Sequence, residues 1–210
     1  MFNERLFKVL HGGLRDKIMG RRKEQKEIRQ EMILRYCLER FIKVGFSDTK
    51  IRDIAKDLDM SVGLFFNYYE SKEKIYAELV RRATQSMEMI SRKENEAPLN
   101  FFERMIKESL EAFEKDEMAC QLFVLMAQTL YSDTVPMDIK AELYTQKQLF
   151  ELPISMIEEG QRAGTIREGN PLAISVMFWS TIKGVAETKA LFPELPLPRA
   201  EWLLDMVKKH

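Results

Sequence analysis

The chain is poor in the residues that most catalysis and metal binding require. Its 210 residues include two histidines, His11 and His210, one near each end, so no histidine sits inside the body as base, proton shuttle or ligand. The two cysteines, Cys37 and Cys120, are far apart and lack a CxxC spacing. That excludes a disulfide framework and a cysteine zinc site, fits a reducing compartment and leaves two core thiols. There is no GxxxxGK[ST] phosphate cradle, no GxGxxG after a strand and no GxSxG elbow. No uninterrupted apolar run approaches the roughly 20 residues that cross a bilayer, and the first residues lack a secretory leader pattern. The expectation is a soluble, cytoplasmic protein with no membrane partner, no metal and no cofactor. An enzyme finds no support.

Net charge is also absent, since Lys plus Arg and Asp plus Glu both count 33. The balance is uneven along the chain, however: up to Lys74 there are 17 basic and 12 acidic residues, leaving 16 and 21 afterwards. A basic front on an acidic body is compatible with a nucleic-acid partner where a uniformly neutral chain would not be.

Nine glycines and seven prolines punctuate the sequence, and between them apolar residues recur three or four apart, with almost no strand alternation. This predicts an all-α protein. Residues 1–20 read as an N-terminal extension of low order. A long helix is expected from about Arg22 to Val44, with Ile28, Ile33, Cys37, Phe41 and Val44 inward and Gly45 at the permissive C-terminal position. Ser47, Asp48 and Thr49 crowd the next helix start, and any of the three can cap it. Ile51, Ile54, Ala55 and Leu58 then form a one-faced stripe too short to stand alone.

The following stretch, "SVGLFFNYYESKEKIY" (61–76), carries five aromatic rings. With Ser61 as N-cap, Val62, Phe65, Phe66 and Tyr69 fall on one side, and Gly63, Leu64, Asn67 and Tyr68 on the other. Two short helices joined by a tight turn match a helix-turn-helix, whose second helix enters the major groove of double-stranded DNA. Gly63 permits close backbone approach, Asn67 has the donor and acceptor suited to base edges, Leu64 suits a thymine methyl, and Tyr68 offers its ring and hydroxyl to the DNA backbone. Ser71 reads as the cap of a further helix. Lys72 at its first position opposes the helix dipole, which reads either as a solvated lysine beside Glu73 or as a cation awaiting a phosphate.

Residues 33–79 resemble the DNA-binding domain of the TetR family of transcriptional regulators, through Gly45-Phe46, Ile54-Ala55, Tyr68-Tyr69 and Ser71-Lys72. The resemblance implies a three-helix reading head (residues 21–70) and a helical ligand-binding and dimerisation body (71–210). It also implies backbone contacts from Thr49, Tyr68 and Lys72; the full set of expected DNA-contacting positions is Thr49, Lys50, Arg52, Ser61, Val62, Gly63, Leu64, Asn67, Tyr68 and Lys72. Three positions depart from the family pattern: Asp59 stands where the turn often has glycine, Phe66 where a phosphate-binding tyrosine is common, and Leu64 where a small hydroxyl residue often follows the glycine.

In the body, prolines predict helix starts at Pro98, Pro136, Pro171 and near Pro198, with another near Met118. Pro153 should kink or break its helix. Phe101, Met105, Phe123, Met126, Phe150, Met156, Met177 and Phe178 supply adaptable surface for an apolar cavity, though core packing explains any one of them as well. The resemblance implies a small-molecule effector there. Residues 171–192 and 199–209 read as two amphipathic helices, and the resemblance implies that the last two helices pair with their copies in a homodimer. The expected interface positions are Trp179, Ile182, Gly184, Ala186, Trp202 and Met206. The reading is a ligand-responsive repressor released from a palindromic operator. Its rival is a helical ligand-carrier or protein-interaction module that no longer reads DNA.

Overall fold

The computed structural model describes the backbone of residues 3–88, 91–144 and 148–210 and, within these, the side chains of residues 23–85, 91–143 and 153–210. Among the described residues ten helices follow one another: α1 (Asn3–Asp48), α2 (Ile51–Asp57), α3 (Val62–Phe66), α4 (Lys72–Glu88), α5 (Pro98–Lys115), α6 (Glu117–Tyr131), α7 (Met137–Tyr144), α8 (Gln148–Arg162), α9 (Pro171–Leu191) and α10 (Ala200–Leu204). Among the described residues the β structure is one isolated bridge, Ile166 to Lys208, which clips the C-terminal segment to the α8–α9 loop. The fold is all-α, as expected. No helix among the described residues is long and apolar enough to cross a membrane.

Helix α1 starts at Asn3, well before the expected Arg22. Its helical geometry is interrupted at Gly45 (φ 85°, ψ 166°), a conformation that L side chains avoid. Ile33, Cys37 and Phe41 point into the core as expected, whereas Ile28 and Val44 are exposed. Both lie at the margins of the helix's buried stretch, where fewer neighbouring elements pack. Helix α2 is preceded by Lys50 as N-cap with no side-chain hydrogen bond, so none of Ser47, Asp48 or Thr49 caps it.

The turn after α2 ends the helix in a Schellman arrangement: the Met60 amide donates to Ala55 O (2.9 Å) and the Asp59 amide to Lys56 O (3.1 Å). Asp59 adopts φ 50°, a left-handed backbone usually given to glycine. Asp59→Gly is therefore expected to raise stability, by up to ~1 kcal/mol, read as a higher urea midpoint at unchanged slope. A lower midpoint would mean that the carboxylate stabilises the turn.

One apolar cluster joins α1, α2, α3 and α4 to α6 and α7, through Phe41, Ile54, Phe65, Tyr76, Leu79, Leu125 and Ile139 among others. The reading head and the nearer half of the body thus share a core. A second cluster, around Phe101, Phe102, Met156, Ile157, Phe178 and Ile182, holds α5, α8, α9 and α10. Gly160 is required here, because a Cβ would sit 2.4 Å from Ile166 Cδ1. Cys37 and Cys120 are core thiols, and burial pushes them up to about 12 and about 11. At the start of α5, Arg104 grips Glu96 (2.7 Å) and holds its carboxyl down to about 2.

Helix starts agree with the prolines at Pro98 and Pro171, and Asp116 caps α6 by accepting from the Met118 amide. Helix α8, by contrast, runs straight through Pro153 to Arg162 without the expected break. Pro153 is past the first turn, so its missing N–H leaves one backbone carbonyl of the helix without its usual donor. The C-terminal helix is shorter than expected, five residues whose Leu203 is buried. α9 instead packs along α8 and α6.

Candidate nucleic-acid interface

Helix α3 has five residues and one buried side chain, Phe65, which is fully enclosed. Ser61 caps it, its hydroxyl accepting from the Leu64 amide at 3.1 Å. Everything else on the helix faces out: Val62 (38% exposed), Gly63, Leu64 (40%) and Phe66 (48%), followed by exposed Asn67. The sequence put Val62 and Phe66 on the same side as Phe65 and Tyr69, with Val62 also an expected DNA contact; the structure turns both outward. Consecutive residues lie about 100° apart on a helix, and one turn of contact admits a single ring, so Phe65 takes the core and Phe66 the surface. Its edge rests on the Phe65 ring (centroids 6.0 Å apart). Phe66 is thus an outward residue that sequence reasoning missed; the adjacent pair of rings on so short a helix was the available signal.

Two of the expected DNA contacts are committed inward. The Thr49 side chain is completely buried, its hydroxyl donating to Gly45 O at 2.7 Å, so it ties down the non-helical bend and cannot touch a ligand. The Lys72 ammonium donates to the carbonyls of Phe46 (2.7 Å), Ser47 (3.2 Å) and Thr49 (3.2 Å) and sits 4.4 Å from the centre of the Phe46 ring. All three N–H bonds are thereby used. Neither a solvated lysine nor a phosphate clamp describes it: the cation satisfies carbonyls left over where α1 ends and α2 has not begun. Ser71 caps α4 as expected, accepting from the Lys74 amide.

Lys50 and Arg52 at the head of α2 are exposed, and the Arg52 side chain lies 4.0 Å from the Asp53 carboxylate. At the other end of α3, Tyr68 and Tyr69 are stitched to α1. Gln30 Nε2 donates to Tyr68 O, and the Tyr69 hydroxyl donates to Gln30 O, both at 3.3 Å. Burial pushes the Tyr69 phenol up to about 12. The surface that remains is a small apolar and amide ridge of Ser61, Val62, Gly63, Leu64, Phe66 and Asn67, flanked by Lys50 and Arg52 and by half-buried Tyr68. That is the composition of a base-reading helix beside phosphate-binding cations.

The body connects to this surface through α4. The Tyr76 hydroxyl bonds Thr129 Oγ1 on α6 at 2.8 Å; since Thr129 donates to Leu125 O, Tyr76 is the donor. Arg82 reaches Glu31 (2.7 Å), Glu31 pairs with Arg35 (3.0 Å), and Arg35 holds both oxygens of Asp116 (2.8 and 3.1 Å). The Asp116 carboxyl is kept below its ordinary range by that guanidinium. A continuous chain of charges therefore links α4, α1 and the cap of α6.

Of the residues expected around an effector cavity, Phe101, Met105, Met156 and Phe178 are buried in the second cluster, with ring contacts running from Phe101 through Phe102 to Phe178. Met177 is half-buried beside them, Met126 belongs to the first cluster, and Phe123 touches both. They are core side chains divided between two clusters that Phe123 joins; the Phe150 side chain lies outside the described residues. Ser175 Oγ and Trp179 Nε1, one turn apart on α9, are buried without a hydrogen-bond partner among the described residues. Of the expected interface residues, Ile182 and Ala186 are turned fully into the chain's own core and cannot meet a partner. Trp179, Gly184 and Met206 are half-buried, and Trp202 is 63% exposed. The outward face of α9 carries Leu172, Val176 and Leu191 instead.

Residues 33–79 match the family described as bacterial regulatory proteins, tetR family. The HTH-type transcriptional regulator RutR of Escherichia coli (strain K12) is 24% identical over 176 residues, covering 81% of this chain and 80% of that protein. Among solved structures, the MbdR regulator from Azoarcus sp. CIB superposes with a TM-score of 0.68 at 17% identity, covering 83% of this chain and 94% of that one. AibR, solved in complex with isovaleryl coenzyme A and operator DNA, superposes with a TM-score of 0.59 at 13% identity, covering 84% and 94%.

Proposed function

We propose, from the match of residues 33–79 to the tetR family of bacterial regulatory proteins, that the chain is a homodimeric repressor that leaves a near-palindromic operator when a small molecule occupies its body. The observation that carries the reading is the exposed ridge of α3, held by one buried ring and presenting Leu64 and Asn67 outward. In a twofold dimer two such ridges enter successive major grooves about 34–36 Å apart. Residues 21–70 act as the reading head, 71–210 as the body and 1–20 as an extension of the head.

Release runs through α4. An effector that favours one tilt of α4 relative to α6 strains the Tyr76–Thr129 bond and the Arg82–Glu31–Arg35–Asp116 chain, and so shifts α1 and with it the spacing of the two heads. Effector and operator then oppose each other reciprocally. The effector's polar end meets Ser175 and Trp179, whose buried donors cost free energy until something accepts from them. Native mass spectrometry of whatever copurifies tests this placement: Trp179→Phe, which keeps the ring and deletes the N–H, should lower occupancy, and full occupancy would move the site elsewhere.

The test of the whole reading is selection of binding sites from a random duplex pool. Asn67→Ala is expected to change the preferred base at one or two positions by about 1–3 kcal/mol while leaving other positions alone. Loss that is uniform across sequences would remove Asn67 from base reading. Exposed Val62, Leu64 and Phe66 also suit a protein-docking patch, and that second reading takes over if the wild type selects no duplex at all.

A further inference from the structure

The fate of Lys72 leaves a question. The cation that stood nearest a phosphate in the sequence is spent on carbonyls, so positive charge beside the far end of α3 has to come from another element. The structure supplies it from α1. A cleft of about 710 Å³ runs between α1 and α3, lined on one wall by Gln25, Lys26 and Arg29 and on the other by Leu64, Asn67 and Tyr68. Lys26 and Arg29 therefore share a groove with the residues that face the bases.

Three features set this pair apart from ordinary surface charge. Both are exposed, and among the described residues neither has a carboxylate partner, whereas neighbouring Lys23 reaches Glu27 (3.9 Å) and Arg35 is claimed by Glu31 and Asp116. Their placement is fixed: one turn beyond Lys26, Gln30 is bonded through its side chain to Tyr68 O and through its carbonyl to the Tyr69 hydroxyl, so α1 cannot slide against the end of α3. And the charge belongs to a run, since residues 15–29 include seven Lys or Arg against three Asp or Glu. In sequence Arg22, Lys26 and Arg29 recur at spacings of four and three, the repeat that aligns residues along one side of a helix.

We propose that Lys26 and Arg29 bind backbone phosphates of the operator strand flanking the bases read by α3, making the front of α1 a second, sequence-independent DNA contact. This rests on the DNA-binding reading above and adds to it a surface outside the helix-turn-helix. The chemistry recognised is the phosphodiester, not the base: Arg29 offers a planar fork to two oxygens and Lys26 a point charge. The site covers the strand at one edge of the base-reading ridge, while Lys50 and Arg52 cover it from α2.

The experiment measures operator affinity of the full chain against salt concentration for the wild type, for Lys26→Ala/Arg29→Ala, and for the charge-retaining Lys26→Arg/Arg29→Lys. Each phosphate neutralised contributes about 0.9 to the slope of log K on log salt. Because each subunit of the dimer carries the pair, the alanine variant removes four phosphate contacts and should shallow that slope by about 3.6, weakening all sequences alike without reordering their preference. The charge-retaining pair should keep the wild-type slope. Because both side chains are exposed, thermal midpoints should agree within error, which separates lost contacts from lost structure. An unchanged slope in the alanine pair overturns the proposal whether or not affinity falls, as does a shifted sequence preference. A wild type that binds no duplex defeats the parent reading as well, and is told apart because no slope exists to compare.

Discussion

Val176→Asp should convert the protein to a monomer in sedimentation and lower operator affinity by about 10²–10⁴-fold, with each chain still folded. Helix α9 spans Pro171–Leu191 and shows two faces. Ile174, Phe178, Ile182 and Ala186 are buried in the chain's own core, whereas Leu172, Val176 and Leu191 are exposed on the outer side of a 21-residue helix. Val176 is 47% exposed, so a carboxylate there stays hydrated in the single chain. In a twofold interface the same change counts twice, placing two charges in apolar contact. The loss of affinity is the loss of linkage: once one head is seated, the second binds at an effective concentration fixed by the dimer, and a monomer gives that up. Retention of the dimer with unchanged affinity would place the interface on another face. Ile182→Ala distinguishes a core residue from an interface residue, since it should cost about 2–5 kcal/mol of chain stability and leave dimerisation of the folded chains intact.

The parts of the fold set by local chemistry were readable in the sequence. Gly45 at a bend, Ser61, Ser71 and prolines at helix starts, and the stripe of Ile54 and Ala55 act through their own backbone or their own helix. The signal of Asp59 was of the same kind, a turn that needs positive φ whatever residue stands there. What failed depended on partners distant in sequence. Thr49 and Lys72 are 23 residues apart, and nothing near either foretells that one is buried and the other caps the same junction. Periodicity marked α9 as amphipathic, but it could not say which of its apolar residues meet α6 and α8 and which are left over. The same limit hid Lys26 and Arg29, whose neighbours in the groove lie some 40 residues further on. Family resemblance supplied the architecture, while the assignment of individual cations needed coordinates.

The sharpest test of the reading head sets two adjacent rings against each other. Phe65→Ala removes the one buried side chain of α3, at a cost of ~3–5 kcal/mol. A five-residue helix has no stability of its own, so with the ring gone α3 should detach from α2 and the ridge should lose its shape. The rest of the first cluster is built by α1, α4 and α6, so far-ultraviolet dichroism should change little while operator affinity falls by at least a hundredfold. Phe66→Ala, one residue along, deletes an exposed ring and should leave stability within ~0.5 kcal/mol. Its effect should appear only in binding, as a modest loss of contact to sugar or base edges. If the two variants lose stability equally, both rings are packed and the outward ridge does not exist. If neither loses binding, α3 is not what meets the duplex. The contrast works because the substitutions are chemically identical and the positions differ only in which way a single turn of helix points them.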